Sequence, residues 1–336
     1  MTAPIQIGKH ILTSKVWVAP MSGVTDMPFR LLLHRLGAGL VVSEMIASLN
    51  LSKGNVKSME RAAGAGRINP LVVQLAGREA RWMAVGAKMA VEAGADIVDI
   101  NMGCPARKVV SGQSGSALMR VPELALELIE ATIGAVDVPV TLKMRLGWDD
   151  DMLNAPQIAK AAERAGVKMI VVHGRTRCQF YKGSANWAAV KATKDAVSIP
   201  VIVNGDIRTP DDISAAMEQS GAAGVMVGRG LVGAPWRIRD MNARIDGAPV
   251  PKALTIDEQL AIILEHYADI IDFYEPGKGI RMARKHLSAY VDLAPLDMPG
   301  TERARARSAI CQMLEPADVI AALKALYAGK VLEQAA

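Results

Sequence analysis

Cysteine is scarce in this sequence, and long apolar runs are missing from it. The three cysteines in 336 residues, Cys104, Cys178 and Cys311, are odd in number and far apart. They cannot all pair, so no disulfide framework is available, and no CxxC or Cys/His spacing offers a zinc or iron–sulfur site. No apolar run approaches the ~20 residues that cross a bilayer. The opening MTAPIQIGKHIL lacks the apolar region of a signal peptide. These absences lead us to expect a cytoplasmic protein with no metal and no membrane attachment, and a monomer by default. No GxGxxG follows the first apolar run either, which counts against a doubly wound dinucleotide-binding sheet.

With 51% hydrophobic and 22% charged residues, the chain can bury one large core and carry a smaller appended domain. A formal net charge of +5 favours an anionic partner.

Short runs rich in Val and Ile recur along the chain. IQIGKHIL reads as a hairpin leading into a first strand, Lys15 to Met21. LVVSEM (40–45), PLVVQLAG (70–77), DIVDINMGC (96–104) and VPVTLKMRLGW (138–148) follow. MIVVHGRT (169–176), PVIVNGDI (200–207) and GVMVGRG (224–230) complete the series. Each is too continuous for a strand with one wet face. Helical patterns fill the gaps. Asp26 is placed to cap a helix with Pro28 in its first turn, and further helices are expected from Glu79, Pro122, Asn154, Asn186 and Pro210. Gly37, Gly94, Gly166 and Gly221 stand where C-terminal caps belong. Eight strands alternating with helices predict an α/β fold, a (β/α)8 TIM barrel, with an open doubly wound sheet as runner-up.

From about residue 245 the texture changes. GAPVPKA reads as a linker, and Thr255 with Glu258 forms a capping box before an amphipathic helix. Three more helical stretches follow. The expected organisation is a barrel over 1–244 and a C-terminal all-helical bundle over 245–336.

In such barrels the site lies at the C-terminal ends of the strands. Polar residues stand at almost every one: Met21–Ser22, Glu44, Gln74, Asn101 with Cys104, Lys143 with Arg145, His173 with Arg175, Asn204 with Asp206, and Gly228–Arg229. Each alone reads as a solvated or capping residue. Their convergence carries the functional reading. Lys143 sits inside a strand-like segment, where a cation needs an anionic partner. NGD and GRG occupy the usual barrel phosphate site, where glycines let backbone N–H groups approach an anion. Cys104 follows a glycine, precedes a proline and opens a Gly- and Ser-rich loop carrying Arg107 and Lys108, read here as mobile. No neighbouring Ser/His/Asp pattern supports acyl transfer, so a thiol acting as a general acid toward carbon fits better. Cys178 and Cys311 are read as structural or incidental.

APMSGVTDMPFR, VVQLAG, DINMGCPARKV, VTLKMRLGW, VVHGRTR, VNGDI and VGRG together resemble the bacterial tRNA-dihydrouridine synthases, and among them the B-type subgroup. The resemblance continues into the tail through FYEPGKGIRMARKH. It implies FMN in the barrel, NADPH or NADH as reductant, and a uridine of the tRNA D-loop as substrate. It further implies hydride transfer from flavin N5 to uracil C6, with Cys104 protonating C5. Pro20, Met21 and Ser22 would line the flavin, Gln74 would bond its ring edge, and Lys143 would stabilise its anionic reduced state. His173 would also contact it, while Asn204, Gly205, Asp206, Gly228 and Arg229 would hold the ribityl phosphate. Asn101 and Arg145 are candidates for contacting the uracil. Ser22 stands where the family often has Ala, a departure that leaves a backbone contact intact.

HGRTRCQFYKG interleaves Arg175, Arg177 and Lys182 with Phe180 and Tyr181, a pattern suited to phosphate contact and base stacking. In the tail, Arg281 and Lys285 share a helix face and Arg303 and Arg307 are spaced at i, i+4, a pattern read as contact with tRNA in preference to an ordinary solvated face. A small-molecule flavoenzyme of the dihydroorotate or dihydropyrimidine dehydrogenase kind is the alternative, opposed by the basic tail. A non-catalytic RNA-binding protein on an enzyme scaffold is a third reading, opposed by the intact Lys143, His173 and Cys104.

Overall fold

The computed structural model describes residues 4–330. It opens with the expected hairpin. Strands β1 (Ile5–Ile7) and β2 (His10–Leu12) pair antiparallel through a turn at Gly8, whose φ of +59° favours glycine. Ile5, Ile7 and Leu12 pack with Trp17, Leu40, Val72, Ile97, Met169, Val171, Ile202 and Met226. Most of these residues stand at or near the starts of the following strands, so the hairpin plugs the N-terminal end of the barrel.

The remaining strands are β3 (Val16–Val18), β4 (Ile46–Ala47), β5 (Val72–Ala76), β6 (Ile97–Met102), β7 (Val140–Arg145), β8 (Ile170–His173), β9 (Val201–Asn204) and β10 (Gly224–Val227). They form one parallel eight-stranded sheet in the order β3-β10-β9-β8-β7-β6-β5-β4. Single bridges, Val18 to Val41 and Val42 to Val72, join the first strand to the other edge and close the ring. The fold is a (β/α)8 barrel. Its strands are buried on both faces, as helix-covered parallel strands must be; every residue of β5, β6 and β7 is buried.

The connecting helices follow the capping chemistry of the sequence. Asp26 accepts the Phe29 N–H at 3.2 Å and starts the helix Met27–Arg35. Gly37, Gly94, Gly166 and Gly221 all have positive φ just beyond helix ends.

Three stretches depart from the sequence reading. LVVSEM does not form one strand, because side chains displace its ladder. Ser43 Oγ accepts the Gln74 N–H at 2.9 Å, and Glu44 turns aside to accept the Gly23 N–H. The helix expected from Asn186 starts later, as a 3-10 turn at Ala188–Val190 followed by Lys191–Ala196. Asn186 stays outside it: its N–H goes to the Gly174 carbonyl (2.6 Å), while its Oδ1 accepts the Ala189 N–H (3.0 Å) and caps the turn that follows. The loop after Cys104 is built rather than open. It holds a short helix, Arg107–Ser111, and a 3-10 helix, Gly115–Arg120. Ser116 ties it down by donating from N and Oγ to the Cys104 carbonyl, at 3.1 and 2.8 Å.

The chain forms two compact units: Met1–Gly230 with Ile238–Pro249, and Leu231–Arg237 with Val250–Ala336. A cut after residue 244 would fall inside the helix Arg237–Asp246, which from Ile238 on belongs with the first unit. The second unit contains helices Ile256–Phe273, Pro276–Leu293, Gly300–Gln312 and Pro316–Tyr327. The Thr255–Glu258 capping box opens the first of them. Ile263, Tyr267, Ile270, Leu287, Tyr290, Ile310, Leu323 and Tyr327 make the unit's own core. Arg303, read from its spacing as part of a basic face for tRNA, has its guanidinium engaged within the unit. It donates to the carbonyls of Val291, Ala294 and Leu296 at 2.8 to 2.9 Å, closing the end of the helix Pro276–Leu293. Arg307 pairs with Asp292 at 2.7 Å. Arg281 is exposed and Lys285 half-buried on the same helix. Among the described residues, no helix is long and apolar enough to cross a membrane, and no group of His, Cys, Asp and Glu could hold a metal.

Candidate active site

A cavity of about 430 Å³ opens at the C-terminal ends of the barrel strands. Strand alternation and register explain what fills it, since residues two apart share a face. Thr141, Lys143 and Arg145 share one face of β7. Arg145 registers with His173, and His173 with Asn204. Two steps lower, beneath the level where Asn101 registers with Lys143, Gln74 registers with Asp99, and Asp99 with Thr141. Two polar rows therefore cross the barrel beneath its mouth. Pro20, Met21, Ser22, Gln74, Asn101, Cys104, Lys143, Arg145, His173, Asn204, Gly205, Asp206, Gly228 and Arg229 all line the cavity.

A chain of buried hydrogen bonds runs up to the thiol. Thr141 Oγ1 donates to Asp99 Oδ1 at 2.7 Å, and Gln74 Nε2 donates to Asp99 Oδ2 at 2.7 Å. Asn101 Nδ2 donates to Gln74 Oε1 at 2.8 Å, and Asn101 Oδ1 accepts the N–H groups of Gly103 and Cys104 at 3.1 and 3.0 Å. Asn101, expected at the uracil, thus has its carboxamide oxygen committed to placing Cys104. Only a second Nδ2 hydrogen remains for a ligand. Gln74 is committed at both ends in the same way. The Cys104 backbone is held from both sides, by Asn101 at its N–H and by Ser116 at its carbonyl.

Cations dominate the charge of the cavity. Burial, reinforced by the Arg145 charge, pushes the Lys143 ammonium down to about 8, against the pull of Asp99 and Cys104. At neutral pH it stays charged, and it makes no hydrogen bond to another described residue. Burial raises the Asp99 carboxyl, opposed by its bonds from Gln74 and Thr141 and by the Lys143 charge. Arg145, 1% exposed, is pushed by burial down to about 10. Its Nε donates to the Gly103 carbonyl at 2.7 Å and its Nη1 to those of Thr176 and Phe180 at 2.9 Å. It therefore props both the Cys104 segment and the loop after β8, while its guanidinium lines the cavity. Burial and the charges of Lys143, Arg145, Arg175 and Arg229 hold His173 well below the usual histidine range, so it is neutral.

Asp206, expected among the phosphate ligands, has its carboxylate engaged elsewhere. It accepts from Arg175 Nη2, from the Ala185 N–H at 2.9 Å and from Arg229 Nη2 at 3.4 Å. Burial alone would raise this carboxyl, and these partners hold it below the usual range instead. What Asp206 offers an anion is its backbone. The N–H groups of Gly205, Asp206, Gly228 and Arg229 make no bond to another described residue. Gly205 has φ +116°, and a Cβ there would lie 2.8 Å from Ala185 Cβ and 2.9 Å from His173 Cδ2. Only glycine fits.

The loop after β8 stands at the mouth. Phe180 and Tyr181 are exposed and line the cavity, and the Tyr181 ring lies 5.5 Å from the guanidinium carbons of both Arg145 and Arg229. Arg177 is outside the cavity lining; its guanidinium and that of Arg120 each lie 4.8 Å from the Trp148 ring. Arg281 and Lys285 are likewise absent from the lining. Asp99 and Thr141 escaped the sequence reading. The available signal was an acid inside the apolar run DIVDIN, where a buried carboxyl requires donors.

Known proteins match this arrangement. Residues 17–325 match the family described as Dihydrouridine synthase (Dus). A probable tRNA-dihydrouridine synthase of Rhizobium leguminosarum bv. phaseoli is 51% identical over 317 residues, covering 94% of this chain and 96% of that one. tRNA-dihydrouridine synthase B of Pseudomonas putida is 45% identical over 303 residues, covering 90% and 89%. Among solved structures, a 2-naphthoyl-CoA reductase complex aligns with TM-score 0.57 at 14% identity, over 73% of this chain and 52% of that one. An old yellow enzyme homologue of Zymomonas mobilis aligns with TM-score 0.51 at 13% identity, over 75% and 94%. At such identities the two structures speak to the barrel fold alone. The match over nearly the whole chain and the identities of 45 and 51% decide the matter: this protein belongs to the dihydrouridine synthase family.

Proposed function

We propose that this protein is a tRNA-dihydrouridine synthase that reduces a uridine of the tRNA D-loop to 5,6-dihydrouridine, with FMN in the barrel and NADPH or NADH as reductant. The observation that carries the reading is the meeting, in one cavity, of Cys104, Lys143 and the N–H groups of 205–206 and 228–229, which bond to no other described residue. The cavity suits FMN on its own terms. A buried ammonium with no hydrogen bond to another described residue and a glycine-lined cradle beside Arg229 call for an anionic ligand with a phosphate.

When bound and reduced, the flavin supplies a hydride for uracil C6. Everything else falls to the chain. Gly205, Asp206, Gly228 and Arg229 hold the phosphate, and Pro20, Met21, Ser22, Gln74, His173 and Asn204 surround the rest of the cofactor. Lys143 provides the positive charge that favours the reduced anion. Cys104 gives its proton to C5, from a position set by Asn101 and Ser116. Arg145 stands beside both the thiol segment and the Tyr181 ring, ready for a uracil carbonyl. The target base has to leave its stack to enter the barrel. Phe180 and Tyr181 offer rings against which it can rest. Arg107, Lys108, Arg177, Arg281 and Lys285 supply charge for the RNA backbone.

The test is mass-spectrometric mapping of tRNA from a strain lacking this protein. Loss of dihydrouridine at one D-loop position, restored by the intact gene, is the expected result. An unchanged dihydrouridine map refutes the proposal.

A further inference from the structure

Arg175 is as enclosed as Arg145, at 1% exposure, but it is not among the residues lining the cavity. Its guanidinium joins three segments. Nε donates to the Lys182 carbonyl at 3.1 Å and Nη2 to that of Gly183 at 2.6 Å, both on the loop that carries Phe180 and Tyr181. Nη2 also meets the Asp206 carboxylate, on the loop whose Gly205 and Asp206 N–H groups line the proposed phosphate cradle. Nη1 lies 3.3 Å from His173 Nε2.

The last contact has a chemical consequence. A guanidinium has five N–H donors and no acceptor, so the nitrogen facing it must accept and carries no proton. A neutral imidazole with a bare Nε2 has its proton on Nδ1. Gly205 presses on the same edge, since a Cβ there would lie 3.0 Å from Nε2 and 2.9 Å from Cδ2. The edge bearing Nδ1 is the one left over. Four cations, Lys143, Arg145, Arg175 and Arg229, surround the ring and oppose a second proton.

We propose that Arg175 is a positioning residue that fixes His173 in the Nδ1–H tautomer and ties that ring to the Asp206 loop. His173 then meets the cofactor as a hydrogen-bond donor, so its partner is an acceptor atom such as a ring carbonyl. The inference rests on the flavin reading for the identity of that acceptor, whereas the tautomer is a property of the protein. Lysine cannot replace the arginine. A point ammonium can keep Asp206 but cannot span Asp206, the Lys182 and Gly183 carbonyls and His173 together.

The experiment is 15N NMR on the purified holoprotein labelled at its 5 histidines, at pH 7, with the His173 signals identified by their loss in His173→Asn. The expected wild-type pattern is pyridine-like at Nε2 and pyrrole-like at Nδ1. Arg175→Lys is expected to shift the pattern toward the opposite tautomer and to weaken FMN binding about tenfold, the equivalent of ~1.4 kcal/mol. A pyrrole-like Nε2 in the wild type overturns the inference, as does an unchanged tautomer with unchanged FMN affinity in Arg175→Lys. If that variant fails to fold, the wild-type pattern decides alone. A protein with the expected pattern that makes no dihydrouridine would refute the proposed function and leave this assignment standing.

Discussion

Replacing Lys143 by methionine should stabilise the flavin-free protein while impairing cofactor binding. Lys143 is 8% exposed and its ammonium is pushed down to about 8 from 10.5. A lysine whose folded pKa lies below its unfolded value destabilises the fold wherever it is charged. That penalty is complete below pH 8 and disappears as pH rises through 10.5. At 1.36 kcal/mol per pKa unit, the difference of about 2.5 units corresponds to ~3 kcal/mol at pH 7. That figure already includes the attraction of Asp99 and Cys104 for the ammonium, so up to ~3 kcal/mol of net stabilisation is expected. Methionine fills nearly the same volume and leaves no hole. The assay is urea unfolding followed at tryptophan, at pH 7 and again near pH 10, with and without FMN. Without FMN the variant should be the more stable at pH 7, and the gap should close toward pH 10. With saturating FMN the order should reverse, because the ligand pairs with the wild-type ammonium. A flavin-free variant that is less stable at pH 7, by an amount independent of pH, refutes the reasoning.

Other outcomes follow from the same geometry. Asp99→Asn keeps the shape but turns one acceptor into a donor, so either Gln74 Nε2 faces another donor or the Thr141 hydroxyl turns to accept and loses the acceptor for its own proton. The substitution should lower stability by ~1–3 kcal/mol in urea unfolding and slow dihydrouridine formation through the misplaced Cys104 segment. Gly205→Ala places a Cβ 2.8 Å from Ala185 and 2.9 Å from His173 at φ +116°, so the purified variant should retain markedly less flavin by absorbance. Arg303→Ala removes three bonds to the end of a helix and should lower the thermal midpoint of the second unit, at a cost of ~2–3 kcal/mol, with flavin content unchanged.

Strand ends were the legible part of this chain. Continuous Val and Ile runs ending in polar residues identified the barrel, and every cofactor residue expected from the motifs lines one cavity. Long-range register was not legible. The chain from Thr141 through Asp99 and Gln74 to Asn101 crosses partners 42, 25 and 27 residues apart, and no local pattern announces it. The i, i+4 spacing of Arg303 and Arg307 read as a basic face for tRNA, because spacing reports the helix face and not what meets it. One arginine caps a neighbouring helix end, and the other binds an aspartate. LVVSEM read as a strand because its Val residues fit one, while Ser43 and Glu44 replaced the ladder with side-chain bonds.

The central claim is that Cys104 protonates the reduced uracil from a position built by Asn101 and Ser116. Its most direct test is single-turnover reaction of the flavin-reduced protein with unmodified tRNA, comparing the wild type with Cys104→Ala. The variant is expected to keep its FMN and tRNA affinity but to form dihydrouridine about 10²–10⁴ times more slowly. Product formation by Cys104→Ala at the wild-type rate would contradict it.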